Sequence, residues 1–408
     1  MKKPLQSLYI RWVFLTIGVV AMLFAGIIYS WSILNTPFRT EFSWGGSSLA
    51  LNFTLTMCLF CAGSFVGSIL SKHAKTSILL IAAGLVAGIG FLLTSRLTGE
   101  NIILLYITYG GMAGLGIGVA YNILLSILGA WFPDKKGLCS GALLMGFGSS
   151  ALILGNLFNI CMNSASIGWR TGYVILGAAL GIVLVVSGLV LRVPSSNTVF
   201  PKSSITKSAF AETFEPQNFS PKEMIRSFTF WRAFFCIVFL AAVGNTVISF
   251  AKDLAQSVGA TPTMATNLVG VLSVCNGLGR IITGLCFDSI GRRITMLAFN
   301  LIAIAAAGIT LSAVAITSIP LCVVGLCLTG LSYGACPTLT SSFTAAFYGQ
   351  KHYSTNMAIM NLNLMFASFI ATAATSLHSM FDSYITPFAL LLFLSVVALA
   401  LNITIRRP

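Results

Sequence analysis

Apolar residues in this chain come in long, nearly unbroken runs separated by short polar turns, with no alternating stretches. Twelve runs stand out, at about 12–35, 47–70, 76–95, 101–130, 138–162, 169–192, 230–250, 264–287, 293–316, 319–346, 355–379 and 384–404. At ~1.5 Å of rise per helical residue, each is long enough to cross a hydrocarbon layer of ~30 Å. The pattern predicts twelve membrane-spanning helices, spans 1 to 12, joined mostly by tight hairpin loops. Spans 9 and 10 are the least separated, with only 317–320 between them. The first run is too long for a signal-peptide core and no small-residue cleavage site follows it, so it is expected to stay as span 1.

One connection is different. Residues 193–229 are rich in Ser, Pro, Lys and Glu and divide the chain into two halves of six spans, 1–192 and 230–408. Within that linker, Ser220-Pro221-Lys222-Glu223-Met224-Ile225-Arg226 predicts a short amphipathic helix. Ser220 would be its N-cap, with Pro at the first helical position and Glu three residues after the cap. A weak internal repeat agrees with two halves: 129–136 recurs in outline at 344–351, and 67–72 at 284–289. Parallel six-helix halves, each built from inverted three-helix units, mark one large class of transporters.

Composition supports the membrane reading: 57% of the 408 residues are hydrophobic and 8% charged, against roughly 25% charged in a soluble protein. A net charge of +14 would suggest nucleic acid as the partner of a soluble protein, but here the basic residues collect in alternate loops. With both termini cytoplasmic, eighteen Lys and Arg fall inside and four (Arg39, Arg96, Arg170, Lys252) outside, with Arg280 left within a span. That asymmetry predicts a multi-pass protein of the inner or plasma membrane, both ends in the cytoplasm, with the bilayer as its partner and no nucleic acid. The ten Cys all lie in apolar runs, and Cys58-x-x-Cys61 lacks a second pair, so they read as small packing residues. The glycines of spans 4 and 5 neither follow a strand nor precede Lys-Ser/Thr, so they read as helix contacts and not as a phosphate loop. With no metal-ligand cluster and no nucleophile–base pair, the sequence predicts neither an enzyme nor a cofactor. His73 and His352 belong to loops, and His378 to the outer end of span 11.

Candidate chemistry concentrates in span 8, at Val274-Cys275-Asn276-Gly277-Leu278-Gly279-Arg280-Ile281-Ile282-Thr283-Gly284. Arg280 lies eight residues before Asp288, roughly 12 Å into the membrane. A guanidinium at that depth costs at least ~2.5–3.5 kcal/mol. All nine Asp and Glu fall in loops or at interfaces, so an anion reaching Arg280 through a water-filled cavity is the expected compensation. A guanidinium offers two parallel donors that match a carboxylate; the competing reading is hydrogen bonding to backbone carbonyls or snorkelling. Asn276, at i−4 on the same face, could steady the arginine or the substrate, or make an interhelical packing bond. Tyr29 in span 1, Tyr121 in span 4 and Tyr333 in span 10 each bring one hydroxyl to mid-span, either into a cavity or into helix packing. Asn361 and Asn363 are polar at similar depth in span 11.

At the end of span 8, Gly284-x-x-x-Asp288-x-x-Gly291-Arg292-Arg293 combines a carboxylate, paired guanidinium groups and turn glycines; a generic basic loop is the alternative. The pattern resembles the loop signature of the major facilitator superfamily. The corresponding loop of the first half, 67–75, keeps glycine and positive charge but has no Asp. Tyr29 within 26–31, Gly116 to Tyr121, the stretch Trp131-Phe132-Pro133-Asp134-Lys135-Lys136-Gly137, Asn276 to Arg280 and Ser332 to Pro337 together resemble the oxalate:formate antiporter family. That family lies near the monocarboxylate transporters within the superfamily.

The resemblance implies an all-α major facilitator fold, with Arg280 as the carboxylate-binding arginine and Tyr29, Tyr121 and Tyr333 lining a cavity between the halves. Oxalate-transporting members also carry a lysine in span 11, where this chain has Leu364. One buried cation in place of two favours a monoanion over oxalate. The expected function is secondary transport of a small organic carboxylate by alternating access, coupled to a proton or a counter-anion, by a monomer. The alternatives are an anion sensor that does not translocate, and an exporter of apolar compounds.

Overall fold

The computed structural model describes residues 3–164, 167–195, 198, 200 and 218–406. The middle of the linker (201–217), and with it Lys202, Lys207, Glu212 and Glu215, lies outside the described residues, as do Lys2 and Arg407. Every regular element among the described residues is helical. Among the described residues, eleven helices are long and apolar enough to cross a bilayer. One of them, Asn267–Ala315, has 49 residues and would be ~70 Å long if straight. It turns back at Gly291, whose φ of 81° and ψ of 173° break the helical geometry, so it makes two passes and the count becomes twelve. A side chain at that φ would be strained, which gives Gly291 its place in the loop motif.

The chain divides into two compact units, Met1–Asp134 with Leu143–Lys202, and Lys135–Ala142 with Ser203–Pro408. The helix Lys136–Met162 therefore gives its first turns to the second unit and the rest to the first. In the first unit, span 1 is not one uniform helix through residue 35. It passes through a 3-10 turn at Gly26–Ser30 and short helices at Trp31–Leu34 and Thr36–Glu41. Span 4 carries a π-helical stretch at Tyr106–Ala113, and span 5 another at Ala151–Gly155. In the second unit, span 7 is kinked at Phe250 and span 11 breaks at Asn361, between Tyr353–Met360 and Leu362–Phe381.

Within an apolar medium every polar group needs an internal partner, and eight buried threonines here find theirs on their own helix. Thr56, Thr94, Thr246, Thr283, Thr310, Thr329, Thr340 and Thr344 each donate to the carbonyl four residues earlier. The Trp131 to Gly137 stretch is resolved into contacts. The Trp131 indole donates to the Arg192 carbonyl at 2.6 Å. Asp134 pairs with Arg11 at 2.8 Å, both side chains almost fully buried, and the Arg11 guanidinium sits 4.9 Å from the Phe132 ring centroid.

The linker helix forms at Pro221–Arg226 with both bonds of a capping box. The Ser220 backbone N–H donates to Glu223 Oε2 at 2.7 Å, and the Glu223 N–H donates to Ser220 Oγ at 3.4 Å. Those hydrogen bonds, the backbone one foremost, hold the Glu223 carboxyl below its ordinary value of 4.5.

Candidate functional site

Arg280 is 3% exposed. Its Nε donates to Asn276 Oδ1 at 3.2 Å, so the residue one turn away on the same helix fixes the angle of the guanidinium plane. The backbone here is also held. Span 10 (Ile319–Tyr348) lies so close that a Cβ on Gly334 would be 2.1 Å from the Asn276 carbonyl oxygen and 3.2 Å from the Arg280 nitrogen. Thr338 Oγ1 donates to the Arg280 carbonyl at 3.3 Å. Arg280 thus projects from a segment that cannot slide against its neighbour without opening backbone contacts.

Tyr333, 5% exposed, leaves span 10 one residue before Gly334. Its ring fits against Gly244 of span 7, where a Cβ would come within 2.2 Å of the ring. Its hydroxyl crosses to span 7 and donates to Asn245 Oδ1 at 2.6 Å. Asn245 was not singled out from the sequence, since a single Asn in an apolar run has no spacing to mark it. The only signal was its setting among small residues, Ala241-Ala242-Val243-Gly244, where a neighbouring helix can approach.

In span 11, Asn361 is 2% exposed at the helix break, and Asn363 donates to Thr340 Oγ1 at 3.1 Å and to the Met360 carbonyl. Asn363 is thereby occupied in packing. Leu364 stands on the same helix, one residue on. His378 stacks on Tyr384, ring centroids 4.0 Å apart.

In the first unit, Tyr29 and Tyr121 converge on Phe147, edge to face, at 5.4 and 5.2 Å between centroids. Tyr121 also meets Phe60 at 5.0 Å and is 2% exposed. The structure therefore gathers the predicted residues into two sets. Tyr29 and Tyr121 belong to the first unit; Arg280, Asn276, Tyr333 and Asn361 belong to the second.

The loop motif is built as a clasp within the second unit. The Asp288 carboxylate accepts from two backbone N–H groups, Gly137 to Oδ1 and Leu138 to Oδ2, both at 2.8 Å. These are orphan donors of the first turn of the helix Lys136–Ser150. Gly284 and Gly137 meet backbone to backbone, so that a Cβ on Gly284 would be 2.2 Å from the Gly137 carbonyl oxygen. Arg292, 7% exposed, lies 5.2 Å from the Phe347 centroid, with Nη2 at 3.5 Å from the Ile405 carbonyl. No group of three or more potential metal ligands exists among the described residues.

Comparison with known proteins adds a family. The model of the Major Facilitator Superfamily matches residues 13–250 and 233–408. The chain is 28% identical over 356 residues to "Uncharacterized MFS-type transporter YhjX" of Escherichia coli, covering 86% of this chain and 84% of that protein. It is 25% identical over 352 residues to "Oxalate:formate antiporter" of Oxalobacter formigenes, covering 84% and 80%. To human "Monocarboxylate transporter 12" it is 26% identical over 281 residues, covering 63% and 53%. Among solved structures, the fucose:proton symporter FucP of E. coli superposes with a TM-score of 0.70 at 12% identity, covering 97% of this chain and 98% of that one. The proton:xylose symporter XylE does so with a TM-score of 0.73 at 13% identity, covering 99% and 97%. Twelve apolar passes, a matching family model and a shared fold over nearly the whole chain lead to one conclusion: this protein belongs to the Major Facilitator Superfamily and is a membrane transporter.

Proposed function

We propose that this transporter carries small organic monocarboxylates by alternating access, with Arg280 as the residue that binds the carboxylate. The observation that carries the reading is a permanently charged guanidinium, almost fully buried in a membrane-spanning helix and braced at Nε by Asn276. Such a group is costly in hydrocarbon, and a fork of parallel N–H donors fits a carboxylate. Bracing at Nε leaves orientation fixed before the substrate arrives, which lowers the entropy lost on binding. The relatives named as an oxalate:formate antiporter and a monocarboxylate transporter carry names that denote small organic carboxylates, which supports the reading. Leu364, where the resembled oxalate carriers have lysine, leaves one cation in the site and favours a monoanion. Asn276 is assigned to hold Arg280, and Tyr333 to line the same site; Tyr29, Tyr121 and Asn361 are assigned to the substrate path. The basic loops and both termini are placed in the cytoplasm by the positive-inside rule.

The test is uptake and counterflow of labelled monocarboxylates in proteoliposomes. Arg280→Ala abolishes both while the protein still inserts and reconstitutes. Arg280→Lys is severely impaired, because an ammonium keeps the charge but lacks the fork. Counterflow also separates a carrier from a receptor, which gives none. Carboxylate uptake at wild-type rates in Arg280→Ala refutes the proposal.

A further inference from the structure

In the first unit, span 3 (Thr76–Thr94) and span 6 (Gly168–Val190) lie side by side. Their seam is closed by glycines. A Cβ on Gly88 would be 2.9 Å from the Gly177 carbonyl oxygen, one on Gly84 2.7 Å from Leu184 Cβ, and one on Gly188 2.9 Å from the Ser77 carbonyl oxygen. Residue numbers rise along one helix as they fall along the other, so the two run antiparallel, and small residues let membrane helices approach this closely. Gly181 is different. A Cβ there would meet nothing nearer than 3.5 Å, an ordinary contact, so the packing of the two helices does not require glycine at this position.

The side chain missing at Gly181 opens a groove. It holds about 280 Å³ along the outer side of the seam, with Gly84, Gly88, Gly177 and Gly181 as its floor and the exposed side chains of Leu85 and Ile182 as its walls. Only Gly, Ala, Val, Leu and Ile line it. It extends from Gly84 to Leu92 on one helix and from Gly177 to Val186 on the other, roughly 12–14 Å at 1.5 Å per residue.

The antiparallel register continues to the helix ends. Arg192, four residues beyond Gly188, comes level with the turn at His73 to Lys75, and Lys75 is the N-cap of span 3. The backbone of Arg192 is pinned there by the Trp131 indole, which donates to its carbonyl at 2.6 Å. Lys72, Lys75 and Arg192 are exposed, and none of them pairs with a carboxylate among the described residues. Asp134, three residues after Trp131, is already taken by Arg11. An apolar groove therefore has three uncompensated cations at one end.

We propose that this face binds one anionic phospholipid, with an acyl chain in the groove and the phosphate among Lys72, Lys75 and Arg192. Charge complementarity selects the occupant. The positive-inside rule turns this end toward the cytoplasm, where the leaflet carries anionic lipids and basic residues at helix ends attract their headgroups. A neutral lipid would use the groove and leave the cations unused. A second copy of this chain fits poorly: Gly84, Gly88 and Gly177 are already spent on the contact between spans 3 and 6, and a two-fold partner would set its own three cations against these. The proposal does not depend on the carboxylate reading of Arg280.

The experiment uses the full chain in detergent, equilibrated with equal amounts of dioleoylphosphatidylglycerol and dioleoylphosphatidylcholine, with bound lipid counted by native mass spectrometry. The wild type retains one phosphatidylglycerol in preference to phosphatidylcholine by about 10-fold, less than three unscreened cations would give together. With Lys72→Gln, Lys75→Gln and Arg192→Gln combined, the preference falls below about 3-fold. Gly181→Leu fills the groove and lowers retention of both lipids. If Gly181→Leu does not fold, Ile182→Trp, on the exposed wall, closes the same groove and is read in the same way. Equal retention of the two lipids by the wild type, or a preference that survives the triple substitution, overturns the proposal. So does retention unchanged by filling the groove, or a dimer that Gly181→Leu dissociates and that carries no lipid.

Discussion

Asp288 offers the most direct test of how the second unit is held. Its two oxygens receive two backbone N–H groups of one helix turn, Gly137 and Leu138, at 2.8 Å each. Charge-assisted bonds of this kind contribute roughly 1.5–3 kcal/mol apiece, and an anion at a helix N-terminus adds roughly 0.3–1 kcal/mol. Both bonds are part-buried, so water recovers a share in a variant; about 2–4 kcal/mol is the expected loss for Asp288→Ala. Asp288→Asn is the sharper probe. It keeps the shape and one acceptor, but sets an NH2 group against a backbone N–H, so it should lose about 2 kcal/mol or more despite being nearly isosteric. Neighbours cannot adjust to compensate, because Gly137 and Gly284 are already in backbone contact. For a unit of about 200 residues, each kcal/mol corresponds to roughly 2–4 °C, so thermal midpoints in detergent should fall by about 4 °C or more in both variants. Midpoints within 1 °C of wild type for Asp288→Asn would show that the carboxylate is not the cap described.

Two further outcomes are expected. Arg11→Ala should destabilise the protein by about 3–5 kcal/mol, because it strands the buried Asp134 carboxylate; a denaturation midpoint shift worth less than about 1 kcal/mol would contradict the pairing. In the linker, Glu223 should titrate below 4.5 by nuclear magnetic resonance. Its folded pKa is lowered, so its contribution to the helix is present above the ordinary carboxyl value and is lost as pH falls through the lowered one. Ser220→Ala, which removes the side-chain bond but not the backbone one, should move that midpoint part of the way up; a wild-type midpoint at or above 4.5 would refute the capping box.

Much of the architecture was legible in the sequence because run length alone separates a membrane pass from a loop, and the twelve passes follow from it. The capping box at Ser220 was legible too, since all its determinants lie within four residues. Interruptions within passes were not. The stretches 26–30, 106–113 and 151–155 carry no charge and no proline to mark them, and widened or tightened turns depend on neighbours that a linear pattern does not record. The break at Asn361 and the bend at Phe250 leave no mark in the sequence for the same reason. Arg280 was conspicuous because a charge in an apolar run is rare, and Asn276 because it sits one turn away. Asn245 and the partners of Asp288 were hidden. Tyr333 is 88 residues from Asn245, and Gly137 is 151 from Asp288, and no local spacing links positions so far apart.

The 3-10 and π turns have a mechanical consequence. Among the described residues these turns fall in spans 1, 4 and 5, all within the first unit. A π turn stores one residue more than an α turn needs, and releasing it moves everything beyond by about 1.5 Å and turns it through about 100°. Spans 4 and 5 therefore carry slack that can be drawn out without breaking a helix. Span 10, α-helical from Ile319 to Tyr348 with Pro337 inside it, has no such reserve; its point of give is the backbone hydrogen bond that Pro337 cannot make.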